Sequence, residues 1–378
     1  MNICGIVCEY NPFHNGHLYQ IETLKKELGF DAVVGIMSGN WVQRGDAAIF
    51  DKHVRAKAAI MNGMDLVIEL PAVHAMQSAE IFARNAVYIL NSLGNISSIA
   101  FGSETDNINM LIEIAKLLIK EPIMFKNIIR SEMKQGVPYF MARSDAIGNL
   151  LGRKHKEAAA LPNNILGIEY IKALINLNSP ISPIAIKRHG AGHDEYNILN
   201  NITSATSVRN MIRKKSNDFR TCVPDNCLNL YNKAAVHDIS KLDIAVLSHF
   251  IKASPSEIKN TPDVSEGLEN KIIRSAKATK SIAELCDTIK SKRYAHSRIR
   301  RIVLNSFLGI TKNDLTTTPK YVKVLNFTEV GQKVLHKSKT TCLLPIGKSR
   351  NIVKGNHFAE RIWDRELAFD KIYELSEL

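Results

Sequence analysis

Short apolar runs alternate with stretches of helical spacing over residues 1–200. The runs Ile3–Cys8, Ala32–Met37, Leu66–Glu69 and Ile96–Phe101 have the length and composition of buried strands. Between them, His14–Leu28, Asp51–Met61 and Ser78–Leu93 repeat apolar residues every three to four positions, the period of a helix with one buried face. Strands alternating with helices predict parallel βαβ units and a doubly wound, Rossmann-like α/β sheet. In that architecture ligands bind beyond the carboxyl ends of the strands, where the strand order reverses.

Asn107 to Leu151 keeps helical spacing, with breaks near Pro122 and Pro138, where a helix loses its hydrogen bonds. This predicts a helical insertion at about residues 107–160. Pro162-Asn163-Asn164 precedes a helix over Ile165–Leu177, and an asparagine there is a cap candidate. A strand over Ile181–Lys187 ends at Arg188-His189-Gly190-Ala191-Gly192-His193, and a helix over Ser204–Lys215 follows. Beyond Arg220 the chain is more helical and richer in Lys and Ser. The expected division is therefore one domain over 1–220 and a mainly helical one over 221–378. Ser254–Glu266, with Pro255 and Pro262, reads as a loop.

At 378 residues the chain can bury a large core, and its 45% hydrophobic and 23% charged residues are those of a globular protein. No apolar run is long enough to cross a bilayer, so no membrane partner is expected. Glu9 and Asn11 interrupt the first apolar stretch, so no secretory leader is expected either. Cys4, Cys8, Cys222, Cys227, Cys286 and Cys342 show neither metal spacing nor a disulfide framework, which suits a reducing cytoplasm. The net charge of +13 is unevenly spread. Residues 1–200 hold 19 Lys and Arg against 19 Asp and Glu, whereas residues 201–378 hold 31 against 18. That asymmetry points to a polyanionic partner for the second half. No protein partner is read from the sequence.

The chemistry concentrates where the first strand ends. Glu9-Tyr10-Asn11-Pro12-Phe13 makes a turn, and His14-Asn15-Gly16-His17 opens the first helix. Two histidines three residues apart share one face of a helical turn. Gly16 between them lets a ligand approach the backbone. Backbone N–H groups and the positive end of the helix dipole point the same way, an arrangement suited to a phosphate chain. An isolated HxxH pair also fits surface histidines or half a zinc site, but no CxxC or HExxH accompanies this one. Phe101-Gly102-Ser103-Glu104 leaves another strand end. Arg188, beside two glycines at a third strand end, suits a phosphate. Thr203 or Ser204 is a natural N-cap. Arg44 and Lys52 are candidates for carboxylate or phosphate binding. The densest basic cluster is Lys290-Ser291-Lys292-Arg293-Tyr294-Ala295-His296-Ser297-Arg298-Ile299-Arg300-Arg301. Arginines with interleaved aromatic rings suit RNA, by phosphate contact and stacking on unpaired bases. Arg293, His296, Arg298, Arg300 and Arg301 are the RNA-contact candidates, and Lys214, Lys215, Lys320 and Lys323 extend the track.

HNGH after an N-terminal strand resembles the HxGH signature of the nucleotidyltransferase superfamily. EYNPFHNGH, MSGNWVQRGDAAIFDKHVRAKAAIMNGMDLVIELP, FGSE, PNNILGIEYIKAL and RYAHSRIRRIVLNSFLGI together resemble the tRNA(Met) cytidine acetate ligase family. The resemblance implies that ATP activates acetate as acetyl-adenylate, whose acetyl group passes to the wobble cytidine of elongator tRNA(Met) to give N4-acetylcytidine. It implies that His14 and His17 support the α-phosphate. It implies ATP contacts from Val7, Cys8, Glu9, Tyr10, Asn11, Pro12, Phe13, Asn15, Gly16 and Leu18 around them, and from Gly102, Asn163, Asn164 and Arg188. Thr203-Ser204-Ala205-Thr206-Ser207-Val208-Arg209 resembles the superfamily's second motif, with Ser207 and Arg209 at the β- and γ-phosphates. Ala205 stands where many relatives carry a hydroxyl. Mg²⁺ is expected to travel with the nucleotide, since no carboxylate cluster reads as its cage. Two other functions are compatible with the residues: a small-molecule adenylyltransferase, and a non-catalytic RNA-binding protein with an ATP pocket as a switch.

Overall fold

Burial on both faces explains why the leading strands read as unbroken apolar runs. The computed structural model describes residues 1–188, 203–265, 267–291 and 294–378. Its strands are β1 (Ile3–Cys8), β2 (Ala32–Ser38), β3 (Trp41–Val42), β4 (Asp46–Ala47), β5 (Leu66–Leu70), β6 (Ser98–Ser103), β7 (Ser182–Lys187), β8 (Val322–Phe327) and β9 (Ile346–Gly347). One seven-stranded sheet has the order β7-β6-β1-β2-β5-β8-β9, and β3-β4 form a separate hairpin. β7, β6, β1, β2 and β5 are mutually parallel, whereas β8 runs antiparallel to β5 and β9 parallel to β8. Every residue of β2 and β5 is buried.

Strand order reverses between β1 and β6. From β1 the chain passes to β2 and β5 on one side. It then crosses through the helix Ala79–Ser92 to β6 on the other. The crevice above the ends of β1 and β6 is therefore the ligand position of an open parallel sheet. The ladder with β7 carries β6 through Gly102 and Ser103, two residues past the expected end. The expected helices form with caps in place. Asp51 accepts from the His53 N–H at 2.7 Å and precedes Lys52–Met61. Ser78 caps Ala79–Ser92. The first helix is α-helical over Asn15–Glu22 and widens to a π-turn over Thr23–Glu27. Pro122 and Pro138 are N-caps of Ile123–Lys134 and Tyr139–Leu151.

Two features differ from the sequence reading. The stretch expected as a loop at 254–266 contains the helix Pro255–Lys259, because Ser254 and Glu257 form a reciprocal capping box and Pro255 suits the first turn. The sheet also extends past residue 220. β8 and β9 belong to the segment 221–378, and β8 pairs with β5. The remainder of that segment is mostly helical, around a core that includes Phe250, Ile272, Leu285, Ile302 and Trp363. Gly331 shows how tightly the halves join: a Cβ there would lie 1.8 Å from the Asp65 carbonyl oxygen, so no larger residue fits.

Candidate active site

At the end of β1 the backbone turns through Tyr10, whose φ is +46°, and a cis Asn11–Pro12 peptide. The fully buried Arg55 ties this turn to its neighbours. It donates to the Glu9 carbonyl at 2.5 Å, Ser38 at 3.2 Å and Phe50 at 2.9 Å, and also to the Gly39 carbonyl. Buried carbonyls that face no ladder partner are satisfied in this way.

His14 is the N-cap of Asn15–Glu22. Its Nδ1 accepts from the Gly16 N–H at 3.1 Å, and the His17 Nδ1 accepts from the His14 N–H at 3.2 Å. An acceptor Nδ1 on a neutral ring puts the proton on Nε2. Both imidazoles are thus fixed as Nε2–H donors by the helix terminus they cap. Their rings stack at 3.7 Å between centroids, and Tyr10 packs on His17 at 4.7 Å. Burial, then Arg188 and Arg209, pull His14 down to about 3. Burial, then His14 and Arg188, hold His17 well below its ordinary value. Near neutrality the pair is uncharged and offers two N–H donors to one cleft.

Two cations face them. Arg188 follows β7, and its side chain lies against Gly102, where a Cβ would stand 3.3 Å from Arg188 Cγ. Arg209 lies on the helix Ala205–Arg213 and donates to the Asn11 carbonyl at 2.8 Å and to Thr206 Oγ1 at 3.0 Å. Burial lowers both guanidiniums, but a group that ordinarily titrates above 12 remains a cation. The glutamate of FGSE works on the opposite wall. Glu104 accepts from the N–H groups of Asn163 at 3.1 Å and Asn164 at 2.9 Å, in the first turn of Pro162–Asn176. Asn164 in turn accepts from Ser103 Oγ at 2.5 Å and from the Glu104 N–H at 3.0 Å. The asparagines are therefore not caps of that helix: Leu161 holds the cap position, and Glu104 reaches in from β6.

The HIGH nucleotidyl transferase family matches residues 1–377. A tRNA(Met) cytidine acetate ligase of Clostridium novyi is 41% identical over 359 residues, 92% of this chain and 89% of that protein. The Clostridium tetani ligase of the same name is 36% identical over 362 residues, 92% and 90% of the two chains. The chain belongs to the tRNA(Met) cytidine acetate ligase family. The Thermotoga maritima TmcAL structure without ligand superposes with a TM-score of 0.93 at 30% identity, over 99% of this chain and 94% of that one. The same Thermotoga protein bound to alpha-thio ATP gives 0.91.

In this member of the ligase family, most of the expected nucleotide contacts meet in one cleft. Val7, Cys8, Glu9, Tyr10, Asn11, His14, Gly16 and His17 line its β1 side; Gly102, Asn163, Arg188 and Arg209 line the other. Six expected contacts lie off the wall. Phe13 is fully buried, and its carbonyl accepts from Tyr231 Oη at 3.0 Å. Asn15 donates to the Thr221 carbonyl at 3.0 Å, and with Leu18 it borders a separate depression beside residues 220–228. Pro12 sits in the cis turn. Asn164 is fully buried behind Glu104. The Ser207 hydroxyl turns to Ser204 at 3.0 Å, because Ser204 is the helix cap; Thr206 lines the cleft instead. Arg44, a candidate for carboxylate or phosphate binding, lines the cleft beside Gln43. Phe101, Leu166 and Tyr170 also line it and lie in the FGSE and PNNILGIEYIKAL segments without having been named as contacts, and Phe82 lies in none of the segments that carry the family resemblance.

The basic candidates are placed differently. Lys52 is buried and pairs with Glu69 at 2.7 Å and Asp370 at 2.5 Å, away from the cleft. Lys323 pairs with the same Glu69 at 2.7 Å, so it does not extend a surface track. Arg301 is 9% exposed and pairs with Asp263 at 3.4 Å. Arg300 pairs with Asp46 at 2.9 Å and donates to the Gly45 carbonyl at 2.9 Å, clamping the β3–β4 hairpin. Arg298 donates to the Asp263 carbonyl and lies 4.8 Å from the Tyr294 ring centroid. His296 is partly exposed and 3.6 Å from Asp287. Arg293, Lys292 and the segment 189–202 lie outside the described residues.

Proposed function

We propose that the chain is a cytoplasmic, ATP-dependent ligase that activates acetate as acetyl-adenylate and passes the acetyl group to the wobble cytidine of elongator tRNA(Met). One observation carries this reading. Two neutral imidazoles that line the cleft, each with its Nδ1 bonded to a backbone N–H and its proton on Nε2, stand at a helix N-terminus at the switch point of the sheet, in a cleft that Arg188 and Arg209 also line. An acetate oxygen attacks the α-phosphorus, and the bond to the bridging oxygen breaks so that pyrophosphate leaves with the electron pair. Protein groups need only hold the phosphate in line and neutralise its equatorial charge. His14 and His17 donate to the α-phosphate, and the helix N-terminus adds its dipole. Arg188 and Arg209 take the rest of the phosphate chain. Glu104 sets the Asn163 wall against which the nucleoside lies.

Among the described residues no group of three His, Cys, Asp or Glu side chains is placed to hold a metal ion. Mg²⁺, which neutralises phosphate charge when bound, is read as arriving with ATP. The cytoplasmic reading is supported by six free cysteines, five of them buried. No helix among the described residues is long and apolar enough to cross a membrane.

The test is incubation of the purified chain with ATP, labelled acetate and elongator tRNA(Met), followed by nucleoside mass spectrometry. N4-acetylcytidine that depends on both ATP and acetate is the expected product. An adenylylated small phosphate ester formed without tRNA, and no acetylated nucleoside, would overturn the reading.

A further inference from the structure

The second half of the proposed reaction needs something that the paired histidines do not supply. Cytidine N4 is a delocalised, weakly basic amine. When it adds to an acyl carbonyl it becomes an ammonium, and that proton must leave or the addition reverses. A base within reach of the new N–C bond is required.

Among the described residues the cleft offers one acceptor for that proton. Glu9 is the only carboxylate among the described residues that line it. The other titratable groups on the wall are unsuitable. Arg44, Lys187, Arg188 and Arg209 are cations, and Tyr19 carries a phenol, with no carboxylate to accept the proton. His14 and His17 have spent their Nδ1 lone pairs on backbone N–H groups and carry protons on Nε2. Burial pushes the Cys8 thiol and the Tyr10 and Tyr170 hydroxyls up, so all three stay protonated.

The Glu9 carboxylate is also held in place. Its Oε1 accepts from the Gln43 N–H at 2.7 Å. Its own carbonyl is fixed by Arg55 at 2.5 Å. Gln43 is anchored through Nε2 to the Gln77 carbonyl at 2.8 Å. No described residue donates to Oε2. One oxygen is therefore a handle and the other is available, one strand-turn from the histidines.

We infer that Glu9 is the general base of acetyl transfer. Building on the ligase reading above, N4 of cytidine forms its bond to the acetyl carbon, and Glu9 Oε2 takes the N4 proton. The carbonyl re-forms as the bond to the AMP oxygen breaks and AMP leaves with the electron pair. The proton on Glu9 returns to solvent. Adenylation of acetate involves no proton transfer, so the role belongs to the second half-reaction alone.

The test compares two rates in the full chain, for wild type, Glu9→Gln and Glu9→Asp. One is acetate-dependent ATP–pyrophosphate exchange, which reads adenylation. The other is single-turnover acetyl transfer to elongator tRNA(Met) across pH 4 to 8. The expected result is that Glu9→Gln lowers transfer about 10²–10⁴-fold more than it lowers exchange, the span of a general base. The acid limb of the wild-type transfer profile should vanish in Glu9→Gln and return in Glu9→Asp. Parallel loss of both rates would reassign Glu9 to nucleotide binding or folding and overturn the inference. Transfer that survives Glu9→Gln with its acid limb intact would overturn it too. Absence of acetate-dependent exchange in the wild type would instead sink the ligase reading, and this inference with it.

Discussion

The histidine turn after β1 and the arginine-rich helix His296–Phe307 both stand out in the sequence, yet the fold uses them in opposite ways. At the turn, the histidine rings are oriented by their own local backbone: each Nδ1 accepts from an N–H within three residues, which puts the proton on Nε2, and both rings line the cleft. On the helix, the guanidiniums are claimed by distant partners: Asp46 and Gly45 by Arg300, and Asp263 by Arg301 and Arg298. A motif whose geometry is set by short-range hydrogen bonds can be read from a sequence. A charge run reveals an excess of charge but not which cations are already paired.

Lys52 tests the contrast most severely. The sequence made it a phosphate candidate, and the structure makes it an interior cation between Glu69 and Asp370. Lys52→Ala leaves Glu69 buried with Lys323 as its remaining partner, and should cost about 3–5 kcal/mol of unfolding free energy. Urea denaturation checks this. A stable variant with raised KM for ATP would return Lys52 to the cleft.

His17→Ala should lower acetate-dependent pyrophosphate exchange roughly 10²–10³-fold, the usual cost of losing one preorganised donor. Filter-binding affinity for tRNA should hold. An exchange rate within threefold of wild type would break the comparison at its stronger end.

Acid should unfold the same turn. His14 titrates at about 3 when folded, against 6.5 unfolded, so the unfolded chain binds the extra proton. Stability is complete above pH 6.5 and falls as pH drops toward 3. By pH 4 the loss from this group is about 3 kcal/mol. His14→Asn should remove that share of the slope in urea titrations run from pH 7 to 4. An unchanged slope would mean that the ring is solvated.

Arg301→Ala has the smallest expected effect, about 1–2 kcal/mol, from lost packing and the Asp263 pair. tRNA affinity measured well below the melting temperature should change less than threefold. A tenfold loss of affinity without a loss of stability would restore Arg301 to an RNA-facing role.

The same division explains what was legible in the sequence. β1, β2, β5 and β6 were readable because both of their faces are buried, which leaves an unbroken apolar run. β8 was missed: Lys323 and Asn326 interrupt its pattern, and its partner β5 lies about 250 residues earlier in the chain. The histidines, Gly102, Arg188 and Arg209 were readable because each sits at a strand end or in the opening of a helix. Thr206 was missed in favour of Ser207 because helical phase depends on which hydroxyl becomes the cap. The partners of Lys52 and Arg300 were not legible because Lys52–Asp370 and Arg300–Asp46 pair across 318 and 254 residues, a distance no local pattern spans.

A crystal structure of the full chain with a non-hydrolysable acetyl-adenylate analogue tests the central claim most directly. The account predicts the phosphate mimic within about 2.7–3.2 Å of both His14 Nε2 and His17 Nε2, with the acetyl group on the Glu9 side of the cleft. An analogue bound away from the two imidazoles, or one that turns their Nδ1 atoms toward it, would contradict the account.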